Sequence, residues 1–236
     1  MSNIIKIYGL RTSGSNWLQW LLENNVDDIV VFRNQLAWKH GFPTTQLDWS
    51  GDIVEWDDKS ALKQEYELVL NSIKNEKLIN GKNVLEMKDD VESTFNSGKL
   101  IHCFIIKHPY SWMDSRINKR NKNLESEIND WNKKTKSYFD FDYPSKIIIS
   151  YEKLNMNPKQ EIERICEMFN LKMKSEWTDT DKNLTNGLRP IHAHRAKRQQ
   201  LDSNFESHFR RKFTKQQISK IDSLIDINSL KLYNSL

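Results

Sequence analysis

The stretch that decides the fold lies near the N-terminus and runs Ile4-Ile5-Lys6-Ile7-Tyr8-Gly9-Leu10-Arg11-Thr12-Ser13-Gly14-Ser15-Asn16-Trp17-Leu18-Gln19-Trp20-Leu21-Leu22. An apolar run typical of a buried strand is followed by a loop rich in Gly and Ser, and the loop opens a helix. This arrangement directs several backbone N–H groups and the positive end of a helix dipole to one point. The segment therefore predicts a strand, a loop that binds a phosphate-like group, and a helix.

The loop has the spacing of a P-loop without its usual chemistry. Gly9 and Gly14 stand five positions apart, as in the P-loop of ATP and GTP enzymes. Ser15 occupies the position of the P-loop Lys, and Asn16 replaces the hydroxyl that normally holds Mg²⁺. Arg11 adds a guanidinium that can grip an anionic oxygen in a bidentate manner. The loop thus favours an anion but disfavours ordinary Mg–ATP chemistry, and the alternative is a turn that binds no ligand.

Strand and helix patterns alternate along the chain. Apolar runs predict strands over 4–8, 28–32, 83–88, 100–107 and 146–151. Helical periodicity predicts helices over 15–24, 60–77, 110–119, 124–138, 159–169 and 214–226. The alternation predicts a single α/β domain over 1–236, a three-layer α/β/α fold like that of P-loop NTPases with a central, mostly parallel sheet. Ligands of such folds bind at the carboxyl ends of the strands.

Composition excludes several classes of protein. The net charge of +4 is compatible with an anionic ligand but too small for a nucleic-acid coat. No apolar run is long enough to span a membrane, and no signal sequence precedes the first strand. Cys103 and Cys166 fall in apolar segments and indicate buried thiols in a reducing, cytoplasmic compartment. No Cys/His spacing suggests a metal site.

Two further segments place polar groups at predicted strand ends. Lys107 follows the strand over 100–107, and Ser115 lies eight residues later on the predicted helix, so the two side chains can share one anionic group. Tyr151 ends the strand over 146–151 and can meet a flat ring. Taken separately, a solvated Lys cap and a Tyr at the edge of the core explain these residues equally well.

Together the three segments resemble the sulfotransferase family, whose donor is 3′-phosphoadenosine 5′-phosphosulfate (PAPS). The segment Arg11-x-Ser13-Gly14-Ser15-Asn16-Trp17 resembles the family's 5′-phosphosulfate loop; Lys107-x-Pro109 with Ser115 resembles its 3′-phosphate motif; Tyr151-Glu152-x-Leu154 resembles its Tyr-Glu-Asp-Leu segment. The resemblance implies transfer of a sulfuryl group from PAPS to a hydroxyl or amine of a small-molecule or carbohydrate acceptor. It also implies release of 3′,5′-ADP, with no essential metal.

The resemblance also assigns roles to residues. It implies a donor site formed by Arg11, Thr12, Ser13, Gly14, Ser15, Asn16, Trp17, Lys107, Ser115, Tyr151, Arg195 and Arg198. Backbone N–H groups of residues 13–17 would cradle the 5′-phosphosulfate, and Trp17 or Tyr151 would pack near the adenine. Arg11 takes the role of the Lys or Arg that many members carry at the position of Thr12. The arginines at 195 and 198 stand in for the family's Arg-Lys-Gly motif, which has no clean copy here.

The reaction also needs a base that removes the acceptor's proton. We assign this role to His40 in Trp38-Lys39-His40-Gly41-Phe42-Pro43, because similar Trp-Lys-His segments occur in some sulfotransferase-like sequences, and we assign support of the leaving phosphate to Lys39. Asp90, or its neighbour Asp89, is the alternative base. Weaker candidates are His108, His192 and His194, and His40 has a simple alternative as a solvated loop residue.

Two other functions remain open at this point. One is a P-loop kinase-like phosphotransferase, which the absence of the P-loop Lys and the Mg²⁺-binding hydroxyl disfavours. The other is a non-catalytic nucleotide-binding module, which the departures from the family pattern favour. Aromatic residues suited to stacking on a sugar or ring acceptor, or to forming core, are Trp38, Phe42, Trp49, Trp56, Trp131, Tyr138, Phe139, Phe141 and Tyr143.

Overall fold

The computed structural model describes residues 3–32, 39–44, 88–178 and 201–236. The predicted helix over 60–77 lies outside these residues, as do Arg195, Arg198 and all but the last residue of the predicted strand over 83–88. That last residue, Lys88, begins a helix instead of ending a strand.

The described strands form one parallel sheet. They are β1 (Asn3–Gly9), β2 (Ile29–Phe32), β3 (Ile101–Ile106) and β4 (Lys146–Ser150), in the order β2-β1-β3-β4. Almost every strand residue is buried, which explains why the strands appear in the sequence as continuous apolar runs and not as alternating patterns. Their bounds agree with the predicted strands to within a residue.

Helices and one π-helical turn accompany the strands. They are α1 (Ser15–Asn25), α2 (Lys88–Asn96), α3 (Pro109–Met113), the π-helical turn (Asp114–Asn118), α4 (Leu124–Asp140), α5 (Tyr151–Met156), α6 (Pro158–Phe169), α7 (Phe205–Arg210), α8 (Lys215–Leu224) and α9 (Ile227–Asn234).

The helices cover both faces of the sheet. On one face, Leu18 and Leu21 of α1 and Ile162 and Ile165 of α6 pack with the odd-numbered side chains of β1. The other face carries a second cluster, which includes Tyr8, Phe104, Trp112, Trp131, Tyr138, Phe209, Ile221 and Tyr233. The predicted three-layer α/β/α fold with a parallel central sheet is therefore confirmed.

Local hydrogen bonds explain where elements differ from the prediction. Strand β4 ends at Ser150 because the Ser150 hydroxyl caps α5 by accepting the N–H of Lys153, so Tyr151 is the first residue of a helix. The predicted helix over 214–226 ends at Leu224, because the Asp226 side chain caps a separate helix, α9. The predicted helix over 110–119 changes at Asp114 into the π-helical turn.

The strand order predicts a ligand-binding crevice at the carboxyl ends of β1 and β3. The neighbours of β1 are β2 on one side and β3 on the other, so the connections from the two central strands diverge. Ligands of parallel α/β sheets bind outside the carboxyl ends of strands at such a point. The loop after Gly9 and the residues after Ile106 lie there. Within the described part of the chain, no helix is long and apolar enough to cross a membrane.

Candidate functional site

The loop after β1 holds two residues in the left-handed backbone region. Thr12 has a φ of 65° and Gly14 a φ of 87°. Glycine adopts this conformation without cost, whereas a β-branched residue such as Thr is an outlier there. Such backbone strain clusters at ligand sites, where the surrounding structure enforces it.

The same loop leaves donors available at the start of α1. Ser13 donates its N–H to the carbonyl of Leu10 at 3.0 Å, and Trp17 donates its N–H to that of Gly14 at 2.9 Å. The N–H groups of residues 14–16 have no backbone acceptor among the described residues. Three adjacent N–H groups at a helix N-terminus can bind an anion. The cradle predicted over 13–17 also includes Ser13 and Trp17, whose N–H groups are bonded within the loop.

Two buried hydroxyls in the same loop lack hydrogen-bond partners within the described part of the chain. They are the Thr12 Oγ1 and Ser13 Oγ atoms, both of which are shielded from solvent. A buried hydroxyl without a partner is costly, and each such case needs an explanation.

The residues predicted at the ends of β3 and β4 meet beside this loop. Lys107 donates from Nζ to the Ser115 Oγ at 2.9 Å, and its Nζ lies 4.6 Å from the centre of the Tyr151 ring. A Cβ atom placed on Gly14 would lie only 2.9 Å from the same ring. Lys107, Ser115, Tyr151 and Gly14 therefore share one place at the carboxyl edge of the sheet.

Ser115 lies within the π-helical turn. The N–H of Lys119 bonds back five residues to Asp114, a widened turn that is rare and occurs frequently at functional sites. A buried ion pair, with Arg116 Nη2 2.8 Å from Glu127 Oε1, fastens the turn to α4. Within this turn the Ser115 hydroxyl donates to the carbonyl of Ser111 at 3.2 Å and accepts from the Lys107 ammonium at 2.9 Å.

The segment over 39–44 lies against the loop from the other side. Lys39 accepts the N–H of Gly9 at 2.7 Å through its carbonyl, and its Nζ donates to the Asn16 Oδ1 at 2.7 Å. Tyr138 of α4 donates to the carbonyl of Gly41 at 3.3 Å. Lys39 thereby brings a cation to the start of α1, where the loop itself has no Lys.

His40 is oriented by the loop. Its Nδ1 lies 2.7 Å from the carbonyl oxygen of Gly9. A carbonyl oxygen only accepts, so Nδ1 carries the proton, and in the neutral ring Nε2 carries the lone pair. Burial lowers the pKa of His40 well below 6.5, and the nearby charges of Lys39, Arg11 and Lys134 add to this effect. At neutral pH the ring is therefore uncharged, the form that can accept a proton.

The alternative bases have other surroundings. Asp89 and Asp90 lie in the first turn of α2, where carboxylates are stabilised by the helix dipole. His108 is buried behind Lys107, its ring 5.4 Å from that of Tyr233, and burial lowers its pKa to about 4. His192 and His194 lie outside the described residues.

The aromatic candidates divide between core and surface. Trp17 is 7% exposed and belongs to the core beneath α1, which leaves Tyr151 as the ring next to Lys107. Trp131 and Tyr138 are fully buried, so they form core and do not offer faces to an acceptor. Phe42 is 55% exposed. Trp38, Trp49 and Trp56 lie outside the described residues.

Sequence reasoning missed several residues that support the site. Trp112 donates from its indole to the carbonyl of Arg11 at 2.7 Å, and Trp131 donates to that of Lys107 at 2.9 Å. Glu152, fully buried, accepts the N–H of His108 at 3.1 Å. An indole donor aimed at a carbonyl 24 or 101 residues away leaves no local signal in a sequence. Within the described residues, no group of three or more His, Cys, Asp or Glu side chains is arranged to hold a metal ion.

We expect Gly14→Ala to destabilise the protein strongly. Alanine at a φ of 87° is strained, and its Cβ would meet the Tyr151 ring at 2.9 Å. Backbone strain of about 1–3 kcal/mol and the cost of displacing the ring would together lower the free energy of unfolding by about 2–4 kcal/mol, measured by chemical denaturation.

Gly98→Ala is the matched control. Gly98 has a φ of 71°, but its added Cβ would meet Pro144 at an ordinary 3.4 Å. This variant carries the backbone strain without the close contact. Equal losses in the two variants would show that Tyr151 does not pack on the loop.

Comparison with known proteins gives a similar solved structure at low sequence identity. No family model and no curated protein matches this chain. Among solved structures, the sulfotransferase domain from the Synechococcus PCC 7002 olefin synthase is similar, at 12% sequence identity and a TM-score of 0.48. The alignment covers 94% of this chain and 94% of that chain. The role of each residue in this chain therefore has to rest on its own contacts.

Proposed function

We propose that this protein transfers a sulfuryl group from PAPS to a hydroxyl or amine of a small-molecule or carbohydrate acceptor and releases 3′,5′-ADP. The observation that carries the proposal is the convergence of two anion sites at one sheet edge. The first is the N-terminus of α1 with its N–H groups at residues 14–16, and the second is Lys107 with Ser115. Tyr151 lies between them, against Gly14 and under Lys107.

The residues present fit this donor. The 5′-phosphosulfate would lie at the start of α1, where it would accept from the N–H groups of residues 14–16. Lys39 and Arg11 would balance its negative charge. Lys107 and Ser115 would hold the 3′-phosphate, and the Tyr151 ring would stack on the adenine. A donor that carries a 3′-phosphate as well as a 5′-phosphosulfate would occupy both anion sites. A nucleotide without a 3′-phosphate would occupy only the first.

The donor, when bound, supplies an activated sulfuryl group. Catalysis of such a transfer depends mainly on positioning and charge stabilisation, as in phosphoryl transfer. His40 takes the acceptor's proton on Nε2 as the new oxygen–sulfur or nitrogen–sulfur bond forms. Arg11 and Lys39 stabilise the charge that develops on the leaving phosphate as the old sulfur–oxygen bond breaks. The imidazolium then releases its proton to solvent.

Nucleotide binding to the wild-type chain tests the donor assignment. We expect 3′,5′-ADP to raise the melting temperature and to bind about 10- to 100-fold more tightly than 5′-AMP, because a charge-assisted hydrogen bond to a buried ammonium contributes about 1.5–3 kcal/mol. Stabilisation by Mg–ATP without stabilisation by 3′,5′-ADP would contradict the proposal.

The position of Lys39 is the observation that favours the alternative function, a P-loop kinase-like phosphotransferase. The Lys39 Nζ reaches the Asn16 Oδ1 at the start of α1, close to where the P-loop Lys acts in ATP enzymes. Titration with ATP, with and without Mg²⁺, separates the two functions, because phosphoryl transfer from ATP normally requires the metal. Tight binding of 3′,5′-ADP without turnover in a screen of acceptors with labelled PAPS would favour the non-catalytic module.

A further inference from the structure

The carboxylate of Glu152 joins three distant parts of the chain in one buried cluster. Its Oε2 accepts the N–H of His108 at 3.1 Å and the hydroxyl of Tyr233 at 2.5 Å. The Tyr233 hydroxyl also lies 2.8 Å from the Ser150 Oγ. Tyr233 belongs to α9, the last helix, and Glu152 is fully buried. We name Glu152, Tyr233, Ser150 and the N–H of His108 the Glu152 cluster.

The Glu152 cluster adjoins in sequence both Lys107 and Tyr151, the two side chains that flank the proposed 3′-phosphate site. His108 directly follows Lys107, and Glu152 directly follows Tyr151. A shift of the His108 N–H or of the start of α5 therefore moves the Lys107 ammonium relative to the Tyr151 ring. The two side chains are 4.6 Å apart from Nζ to ring centre.

Stabilisation of the folded state does not explain why the Glu152 carboxylate is buried in this cluster. The described partners of the carboxylate are neutral donors, and no ion pair to Glu152 occurs within residues 3–32, 39–44, 88–178 and 201–236. The second oxygen, Oε1, is buried and has no partner among these residues. Burying a carboxylate in this way costs free energy, whereas a buried polar network fixes one geometry among its members.

We propose that Glu152 and Tyr233 are positioning residues that set the distance between Lys107 and Tyr151 and thereby the preference for a 3′-phosphate. This inference rests on the proposed function. It makes the C-terminal helix α9 part of the nucleotide site, although no residue of α9 belongs to the predicted motifs.

Tyr233→Phe tests the inference, because it removes one hydroxyl and keeps the ring packed. The quantity to measure is the ratio of the dissociation constants of 5′-AMP and 3′,5′-ADP, by isothermal titration calorimetry on the full chain. We expect the ratio to fall about 3- to 10-fold, the effect of one lost hydrogen bond, while the affinity for 5′-AMP stays within about twofold. Glu152→Gln, which keeps one acceptor oxygen, should lower the ratio in the same direction.

Tyr110→Phe is the matched control. Its ring is buried and its hydroxyl donates to Asp222 of α8 at 2.5 Å, and the hydrogen bonds described for Glu152 do not include Tyr110. We expect this variant to lose stability without a change in the ratio. A general loosening of the C-terminal helices would lower the ratio in both variants, and this result would overturn the inference.

The remaining outcomes separate the inference from the proposed function. An unchanged ratio in Tyr233→Phe, with a wild-type protein that prefers 3′,5′-ADP, overturns the positioning role alone. An equal loss of affinity for both nucleotides shows a merely structural role and also overturns it. A wild-type protein that binds 5′-AMP as tightly as 3′,5′-ADP overturns the proposed function, and the inference with it.

Discussion

Replacing His40 by asparagine is expected to reduce sulfuryl transfer from PAPS by about 100- to 10,000-fold, the usual contribution of a positioned general base. The Asn amide nitrogen can still donate to the carbonyl of Gly9, which His40 contacts at 2.7 Å. It has no counterpart of Nε2 and cannot take the acceptor's proton. Because the loop and its N–H groups are unchanged, we expect the affinity for 3′,5′-ADP to stay within about threefold, since no donor contact is lost.

The pH dependence of turnover gives a second readout for His40. Burial and the charges of Lys39 and Arg11 lower its pKa below 6.5, so its neutral, proton-accepting form prevails throughout the neutral range. The rate should be flat from about pH 6.5 upward and fall in acid, as the ring becomes protonated and loses its lone pair. In His40→Asn the residual rate should lack this acid limb.

Tyr138→Phe controls for displacement of the segment that carries His40. It removes the hydroxyl that donates to the carbonyl of Gly41 at 3.3 Å, without changing His40 itself. We expect a loss of turnover of about tenfold or less, because one neutral hydrogen bond contributes about 0.5–1.5 kcal/mol. If His40→Asn retained turnover, the base would have to be sought at Asp90 or Asp89.

The sheet could be predicted from the sequence because burial on both faces leaves a simple signal. The segments that became β1, β3 and β4 are short and rich in Ile, which favours strands over helices. The π-helical turn was not predicted, because the periodicity over 110–119 is that of an ordinary helix. The buried pair of Arg116 and Glu127, which ties the turn to α4, joins residues eleven positions apart and leaves no local signal. The start of α5 was also missed. Ser150 is a residue type that caps helices, but the apolar run before it favoured a strand that continues through Tyr151.

The candidate site was predictable where its residues are neighbours in sequence or follow strands. Parallel strands bring their carboxyl ends to the same side of a sheet, so Lys107 and Tyr151 were expected on the same side as the loop. Their closeness to the loop also depends on the strand order, with β3 between β1 and β4, and this order was not predicted. No comparable sequence rule predicts the Glu152 cluster. Tyr233 reaches Glu152 across 81 residues, through the packing of a short C-terminal helix that the sequence pattern did not reveal.

Replacing Lys107 by methionine is expected to abolish the preference for a 3′-phosphate. The Met side chain fills a similar volume but removes the ammonium, which lies 2.9 Å from the Ser115 Oγ and above the Tyr151 ring. Loss of a charge-assisted hydrogen bond of about 1.5–3 kcal/mol corresponds to a loss of about 10- to 100-fold in the affinity for 3′,5′-ADP. The affinity for 5′-AMP, which has no group at this position, should stay nearly unchanged, as measured by isothermal titration calorimetry.

Two further variants locate the effect at Lys107. Lys107→Arg keeps the positive charge and should retain most of the preference, whereas Ser115→Ala removes a neutral donor and should cost about tenfold or less. Because the Lys107 ammonium and the Ser115 hydroxyl are in direct contact, their effects on 3′,5′-ADP binding should not add in the double variant. Additive losses would mean that the two residues act at separate places. If Lys107→Met still preferred the 3′-phosphate, the second anion site could not lie at the end of β3. The structural reason for preferring PAPS over an ordinary nucleotide would then be lost.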